Sequence, residues 1–473
     1  MPTPIKSLNR LKVVVAALGG AAMLGIVYTL ARSVMSDPVP ALGSTLDASD
    51  LGDRLLVIAA HPDDEVVNAG GLVTQARGRG ARVKVVLLTA GDGYRRAAER
   101  LVKGPAPHEA FLRLGGLRAA ESQDALGELG VPQQDRIYLA YSDGSLDSLW
   151  ELNWDARRPY VGANGRRKVP YPFAARPGRG YCGANLAADL AGIIEEYQPT
   201  AVVYPDAKDT HHDHWAAAAF CDYALEETDY RGVRVTYVTH FGLYPSPWAY
   251  LPSAYLRPPA GLARVRLSWH SLPLTSATKE LKRRAIERYA SQMRVPDMRV
   301  YLLAFVRRNE LFASYSTPDV PTSLSDEVPA NGEQATRATV VTEPSSGLPA
   351  QLVDRRGAIR EMRLVRGPSV VWVGIHTKNG APADLSYDFQ LRLFGEHTRR
   401  IDIAVTGDSA ETLRMSRSSF QPDTIRLERS ADTLWIGLDA SVFEGYRSCI
   451  LSGKTLAPGA KKASRSAWRP VRL

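Results

Sequence analysis

From Arg54 onward, short unbroken apolar runs alternate with longer stretches whose apolar positions recur every three or four residues. The runs predict strands at 54–60, 83–89, 136–140, 201–204 and 233–239. The periodic stretches predict helices at 64–77, 112–129, 185–197, 215–226 and 277–292. Such alternation argues an α/β fold, a Rossmann-like mostly parallel sheet with helices on both faces. No G-x-G-x-x-G follows the first strand, so a dinucleotide is not expected. Residues 150–183 interrupt the alternation with Pro, Gly and Arg. A long irregular insertion of this kind reads as a solvated basic loop, or as a lid that meets an anionic substrate.

Beyond Phe312 the period changes. Residues 317–338 are rich in Pro, Ser and Thr and read as a linker. Short alternating or apolar runs follow at 370–373, 387–394, 400–405, 424–428 and 433–438, which predicts a C-terminal all-β, sandwich-like domain over 339–473. Trp372, Trp435 and Tyr387 suit a core there better than a sugar platform. At the other end, Val13 to Ala31 is uncharged and mostly apolar, and Lys6, Arg10 and Lys12 precede it. The stretch predicts an N-terminal transmembrane helix with the N-terminus cytoplasmic and the rest exported, rather than a cleaved signal peptide. The expected layout is an anchor over 1–35, a tether over 36–52, the α/β domain over 53–316, the linker and the β domain.

The net charge of +9 is compatible with an anionic partner. No nucleic-acid-binding motif accompanies it, so nucleic acid is not expected. Three cysteines are too few for a disulfide framework, although Cys182 and Cys221 could pair outside the cytoplasm.

Two clusters carry the chemistry. Ala59-Ala60-His61-Pro62-Asp63-Asp64-Glu65 turns from the first strand into a helix, with Pro62 suited to a helix start. His61 and Asp64 can point to one side of that turn. Together they supply two of the three N/O ligands of a catalytic zinc site. A plainer reading makes the three acids the capping residues of a helix first turn. The second cluster, Asp209-Thr210-His211-His212-Asp213-His214, follows another buried-strand run. Nine histidines serve the whole chain, and three of them fall within four positions here. Both clusters lie past the carboxyl ends of expected parallel strands, where open α/β sheets place ligands, so they should converge on one metal.

The AHPDDE block paired with the later H-x-D-H block resembles the zinc-dependent de-N-acetylases of the LmbE-like (PIG-L-like) family. Thr89-Ala-Gly-Asp-Gly93, Arg118-Ala-Ala-Glu121, Asp143-Gly144, Lys279 through Ser291-Gln292 and Arg308-Asn-Glu-Leu-Phe312 resemble further family segments. The resemblance covers Arg54 to Phe312. It implies one Zn²⁺ held by His61, Asp64 and His214, with Asp63 as general base. It also implies His211 as the oxyanion donor, with Asp213 as the carboxylate that orients an imidazole. Arg118 and Asp143 match positions near the sugar; by themselves they could equally be a surface Arg118–Glu121 pair and a loop cap. His212 receives no role, and His240 reads as an isolated structural residue. The implied activity is removal of the acetyl group from an N-acetylhexosamine. With the expected anchor, the substrate would be an envelope or extracellular glycan or its lipid-linked precursor, handled beside envelope polysaccharide machinery. Alternatives are a non-catalytic glycan-binding scaffold of a membrane assembly and an amidase for a larger acyl group.

Overall fold

The computed structural model describes residues 42–262, 265–329, 336–343, 357–378, 380–415, 425–430, 432–460 and 463–473. Strand β1 (Ser44–Thr45) precedes β2 (Arg54–Ala59), which is buried on both faces. Leu55, Val57 and Ala59 join the hydrophobic cluster on one side of the sheet, while Leu56 and Ile58 join the cluster on the other. This two-sided burial is why the run lacks polar alternation. Helix α1 (Asp64–Gly78) returns the chain to β3 (Arg82–Thr89). Helices α2 (Arg95–Val102) and α3 (His108–Glu128) lead to β4 (Arg136–Tyr141). Helix α4 (Leu146–Glu151), the irregular insertion and α5 (Gly183–Tyr197) precede β5 (Ala201–Pro205). Helix α6 (His212–Glu227) leads to β6 (Val233–Tyr237), and β7 (Ser268–Pro273) follows. Helices α7 (Ser276–Glu287), α8 (Ala290–Met293) and α9 (Pro296–Leu303) precede β8 (Asn309–Ser314).

The sheet order is β1-β7-β8-β6-β5-β2-β3-β4. Strands β6, β5, β2, β3 and β4 are parallel, and β8 runs antiparallel between β6 and β7. The sheet is therefore mixed. The chain goes from β2 outward through β3 to β4, then returns to β5 on the other side of β2. The crevice outside the carboxyl ends of β2 and β5 is thus a topological switch point, where such sheets bind ligands.

Two further sheets follow, both antiparallel. One contains β9 (Thr339–Thr342), β10 (Ile359–Arg366), β11 (Val370–Thr377), β15 (Arg426–Arg429) and β16 (Thr433–Asp439). The other contains β12 (Ser386–Gly395), β13 (Arg399–Thr406), β14 (Ser409–Met415), β17 (Tyr446–Leu456) and β18 (Ser464–Arg465), with β19 (Arg469–Arg472) also paired to β17. Residues of both sheets, among them Leu364, Ile375, Phe389 and Leu451, share one buried cluster. Trp372, Trp435 and Tyr387 are buried, so they belong to the core. Residues of the expected linker lie along this unit: Asp319 bridges to Arg472, Thr322 to Arg366, and Asp326 accepts from Ser369.

Several expectations need correction. The expected anchor, Val13 to Ala31, lies outside the described residues, and among those no helix is long and apolar enough to cross a membrane. The longest, α3, has the length of a span but carries Glu109, Arg113, Arg118, Glu121, Asp124 and Glu128, which hydrocarbon would not tolerate. The single-pass placement, with an exported catalytic domain, is withdrawn. All three cysteines are free and buried, so Cys182 and Cys221 do not pair. The insertion is not a solvated loop throughout: Tyr171 and Asn164 donate to the buried Asp92 carboxylate at 2.7 and 2.6 Å.

In α7 the buried lysine is Lys282, whereas Lys279 donates to the Pro252 carbonyl. The Lys282 ammonium lies 2.7 Å from Glu310, whose carboxylate also accepts the Gly71 and Leu72 amides of α1. One ion pair thereby ties α7 and β8 to α1. Lys282→Met strands the Glu310 charge in the interior and should lower unfolding free energy by about 3–5 kcal/mol. Chemical denaturation of the variant checks this. A loss below about 1 kcal/mol would show that the pair does not hold these elements together.

Candidate metal and catalytic centre

Five loops at the carboxyl end of the sheet build the site. After β2 the chain turns at His61 and enters α1, so Asp64 sits in the helix's first turn, where its negative charge is favoured. Asp63 at the turn has φ = 123°, a conformation unusual for a non-glycine residue. Such strain costs roughly 1–3 kcal/mol and persists only where neighbours enforce it. Here the Asp63 amide donates to Glu65 at 2.9 Å, and Arg118 donates to the Asp63 carboxylate at 2.9 Å. After β5 the second cluster opens α6, with His211 as its N-cap.

The two clusters do converge. Asp64 Oδ2 lies 3.2 Å from His61 Nδ1 and 3.1 Å from His214 Nε2, and the two nitrogens are 3.2 Å apart. Donors about 2.0–2.2 Å from a tetrahedral zinc stand about 3.4 Å from one another, so this near-equilateral triangle fits such an ion. The far nitrogens fit as well. His61 Nε2 faces Asp213 at 3.0 Å and Asp143 at 3.2 Å, and His214 Nδ1 faces Asp209 at 3.2 Å. Metal-ligating imidazoles characteristically pass their other N–H to a carboxylate in this way. Other donor sets gather within 4.8 Å: His61–His211–His214, His211–His212–Asp213 and His61–Asp143–Asp213. The triangle suits a cation better. His211 Nδ1 is already occupied by the Asp213 amide, and the Asp213 oxygens accept the Gly144 and Leu146 amides.

The electrostatics follow from burial and neighbours. Burial opposes charge on His214, yet Asp64 and Asp209 beside it push its imidazole up to about 10. Burial opposes charge on His61 too, and Asp143, Asp213 and Asp64 outweigh it, raising its pKa well above the usual value. Burial raises the Asp63 carboxyl to about 7 although Arg118 pulls it down. His211 is driven the other way: burial, then His61, His214 and His240 keep its imidazole neutral.

His61, Asp63, Asp64, His211, Asp213 and His214 are all brought together, with Arg118 and Asp143 packed around them. The Asp213 carboxylate does face an imidazole, that of His61 at 3.0 Å, and the Asp213 backbone amide donates to His211 Nδ1 at 3.2 Å. Arg118 is neither a surface residue nor paired with Glu121. It is buried, donates to the Pro62 and Gly91 carbonyls, and holds Asp63. Asp143 sits against His61 and accepts the Gly93 amide.

His240 was missed. Its ring lies 4.8 Å from that of His214 and 5.1 Å from that of His211, and it stacks on Tyr301. No motif marks it; its place follows from the end of β6. Glu65, which accepts from Asp63, Ser122 and Tyr289, could have been suspected from the AHPDDE block alone.

Residues 56–225 match the family model for GlcNAc-PI de-N-acetylase, PIG-L. The match bears out the resemblance drawn from the two motif blocks, and it includes all three corners of the triangle. A 1D-myo-inositol 2-acetamido-2-deoxy-alpha-D-glucopyranoside deacetylase of Mycobacterium sp. (strain KMS) is 32% identical over 168 residues, 35% of this chain and 48% of the relative. Its counterpart in Tsukamurella paurometabola is 33% identical over 177 residues, 35% of this chain and 52% of the relative. The chain thus spans about half the length of the curated relatives it matches. Among solved structures, the antimicrobial reagent A40926 pseudoaglycone deacetylase aligns with 21% identity and a TM-score of 0.36, over 55% of this chain and 96% of the other.

Arg118→Met should leave Asp63 buried without its cation and destabilise the fold by about 3 kcal/mol. Denaturant unfolding measures this. A change under about 1 kcal/mol would mean that Arg118 does not hold the turn.

Proposed function

We propose that the protein is a zinc-dependent hydrolase that removes the acetyl group from an N-acetylhexosamine-type substrate. The observation that carries this reading is the triangle of His61 Nδ1, Asp64 Oδ2 and His214 Nε2, with a carboxylate behind each imidazole. The similarity to deacetylases of an N-acetylated amino-sugar supports the substrate class. The proposed catalytic unit is residues 53–316, joined through 317–338 to a β unit over 339–473.

In this proposal His61, Asp64 and His214 hold the ion. When bound, zinc supplies Lewis acidity: it lowers the pKa of water toward roughly 7 and polarises a carbonyl. Asp63 is placed next to a donor and oriented by Arg118 and the Glu65–amide bond. It takes the proton of the attacking water and returns one to the departing amine nitrogen. Because His211 Nδ1 accepts the Asp213 amide, the neutral ring carries its proton on Nε2. That N–H donates to the oxygen of the tetrahedral intermediate. Asp143, Asp213 and Asp209 fix the ring orientations of His61 and His214.

The test is release of free amine from N-acetylglucosamine conjugates and oligosaccharides, with chelator and with added zinc. Turnover should vanish with chelator and return with zinc; chelator-insensitive turnover, or none on any substrate, would sink the reading. Asp63→Asn should keep its zinc and lose about 10²–10⁴-fold in turnover. Asp64→Asn should lose metal first, so excess zinc should restore it in part while leaving Asp63→Asn inactive. The opposite pattern of rescue would mean that the two roles are exchanged.

A further inference from the structure

The loop that carries Asp209, His211 and His214 is short and tightly folded. Asp206 donates its amide to Tyr237, Asp209 donates its amide to Asp206, and the Asp206 carboxylate accepts the Lys208 amide at 2.8 Å and the Thr236 hydroxyl at 2.7 Å. Two of its charged side chains also reach out of the catalytic unit. Asp206 Oδ1 receives Arg469 of β19 at 2.7 Å, and both residues are buried. Lys208 Nζ lies 2.6 Å from Glu343 and 2.6 Å from the Thr342 carbonyl, at the end of β9. Glu343 in turn accepts the Ala467 amide at 2.7 Å, which joins both contacts into one frame.

Three residues on from Asp206, Asp209 converts this frame into site geometry. Its Oδ1 accepts the His211 amide, and its Oδ2 faces His214 Nδ1 and accepts the Thr239 and His240 amides. The first turn of α6 is held from the same side: the Arg465 guanidinium lies 3.9 Å over the Trp215 ring, one residue past His214. Trp468 and Phe394 extend the contact into the core around Trp150, Phe220 and Tyr223.

We infer that the C-terminal β unit is a working part of the metal centre: through Arg469–Asp206 and Glu343–Lys208 it positions the loop that presents His214. Arg469 and Glu343 are positioning residues, acting through Asp206, Lys208 and Asp209 rather than touching substrate. The inference uses the metal reading of the site for its first readout only.

The experiment uses the full chain with Arg469→Met, Arg469→Lys and Glu343→Gln. Arg472→Met serves as control, since it lies on the same strand but pairs with the exposed Asp319. Zinc affinity is read by chelator competition, and backbone hydrogen exchange is followed across 206–214 without metal. Arg469→Met should weaken zinc binding by about tenfold, the lower end of what losing a group directly behind a ligand costs, because Arg469 acts at one further remove. It should also speed exchange in 206–214 by about tenfold while α1 stays protected. Arg469→Lys should recover most of both losses, and Arg472→Met should change neither. If Arg469→Met does not fold, Glu343→Gln, which keeps its size and hydrogen bonds, should shift both readouts in the same direction. Affinity and loop exchange unchanged in the folded variants, or an equal effect of Arg472→Met, would overturn the inference. Faster loop exchange in a chain that binds no zinc even unmodified would support the positioning and overturn the metal reading instead.

Discussion

Five aspartates and four imidazoles crowd the crevice between β2 and β5, all buried or half-buried. Unpaired, any of these charges would cost several kcal/mol to hold away from water. The structure meets that constraint by interleaving them: Asp64 between two imidazoles, Asp209 behind one, Asp143 and Asp213 behind the other, and Arg118 on Asp63. Each group is held from at least two directions. Orientation is therefore set before any ligand arrives.

The same constraint explains why the surrounding fold is so heavily tied. Asp63 can adopt its strained backbone because Glu65 and Arg118 hold it on two sides, and Glu65 is itself fixed by Ser122 and Tyr289. Helix α1, which starts at the site, is fastened at its middle by the Lys282–Glu310 pair. The loop after β5 is fastened from outside the α/β unit altogether. In this account stability and site geometry are served by the same buried polar contacts.

Much of this was legible in the residues. Strands β2, β3 and β5 are apolar because both sheet faces are covered, and the two motif blocks stand where those strands end. Strands β7 and β8 were not legible. Ser268-Trp-His-Ser-Leu-Pro273 and Asn309-Glu-Leu-Phe-Ala-Ser314 mix polar with apolar residues, and their polar groups are satisfied only in the folded state: Asn309 by Leu256 and Ser271, Glu310 by α1. The roles of Arg118, Asp143 and Asp213 depend on which neighbour each side chain meets across the sheet end, which spacing along the chain does not encode. His240 depends on the end of β6 falling beside β5. The membrane expectation rested on hydropathy alone, in a stretch outside the described residues, and among the described residues no helix is long and apolar enough to cross a membrane.

In the proposed centre one divalent ion sits among His61 Nδ1, Asp64 Oδ2 and His214 Nε2. Anomalous diffraction at the zinc edge from zinc-loaded crystals tests it most directly. The account predicts a single peak about 2.0–2.2 Å from each of those three atoms, with Asp63 outside bonding distance. A peak held by His211, His212 and Asp213, or by His61 Nε2 with Asp143 and Asp213, would contradict it.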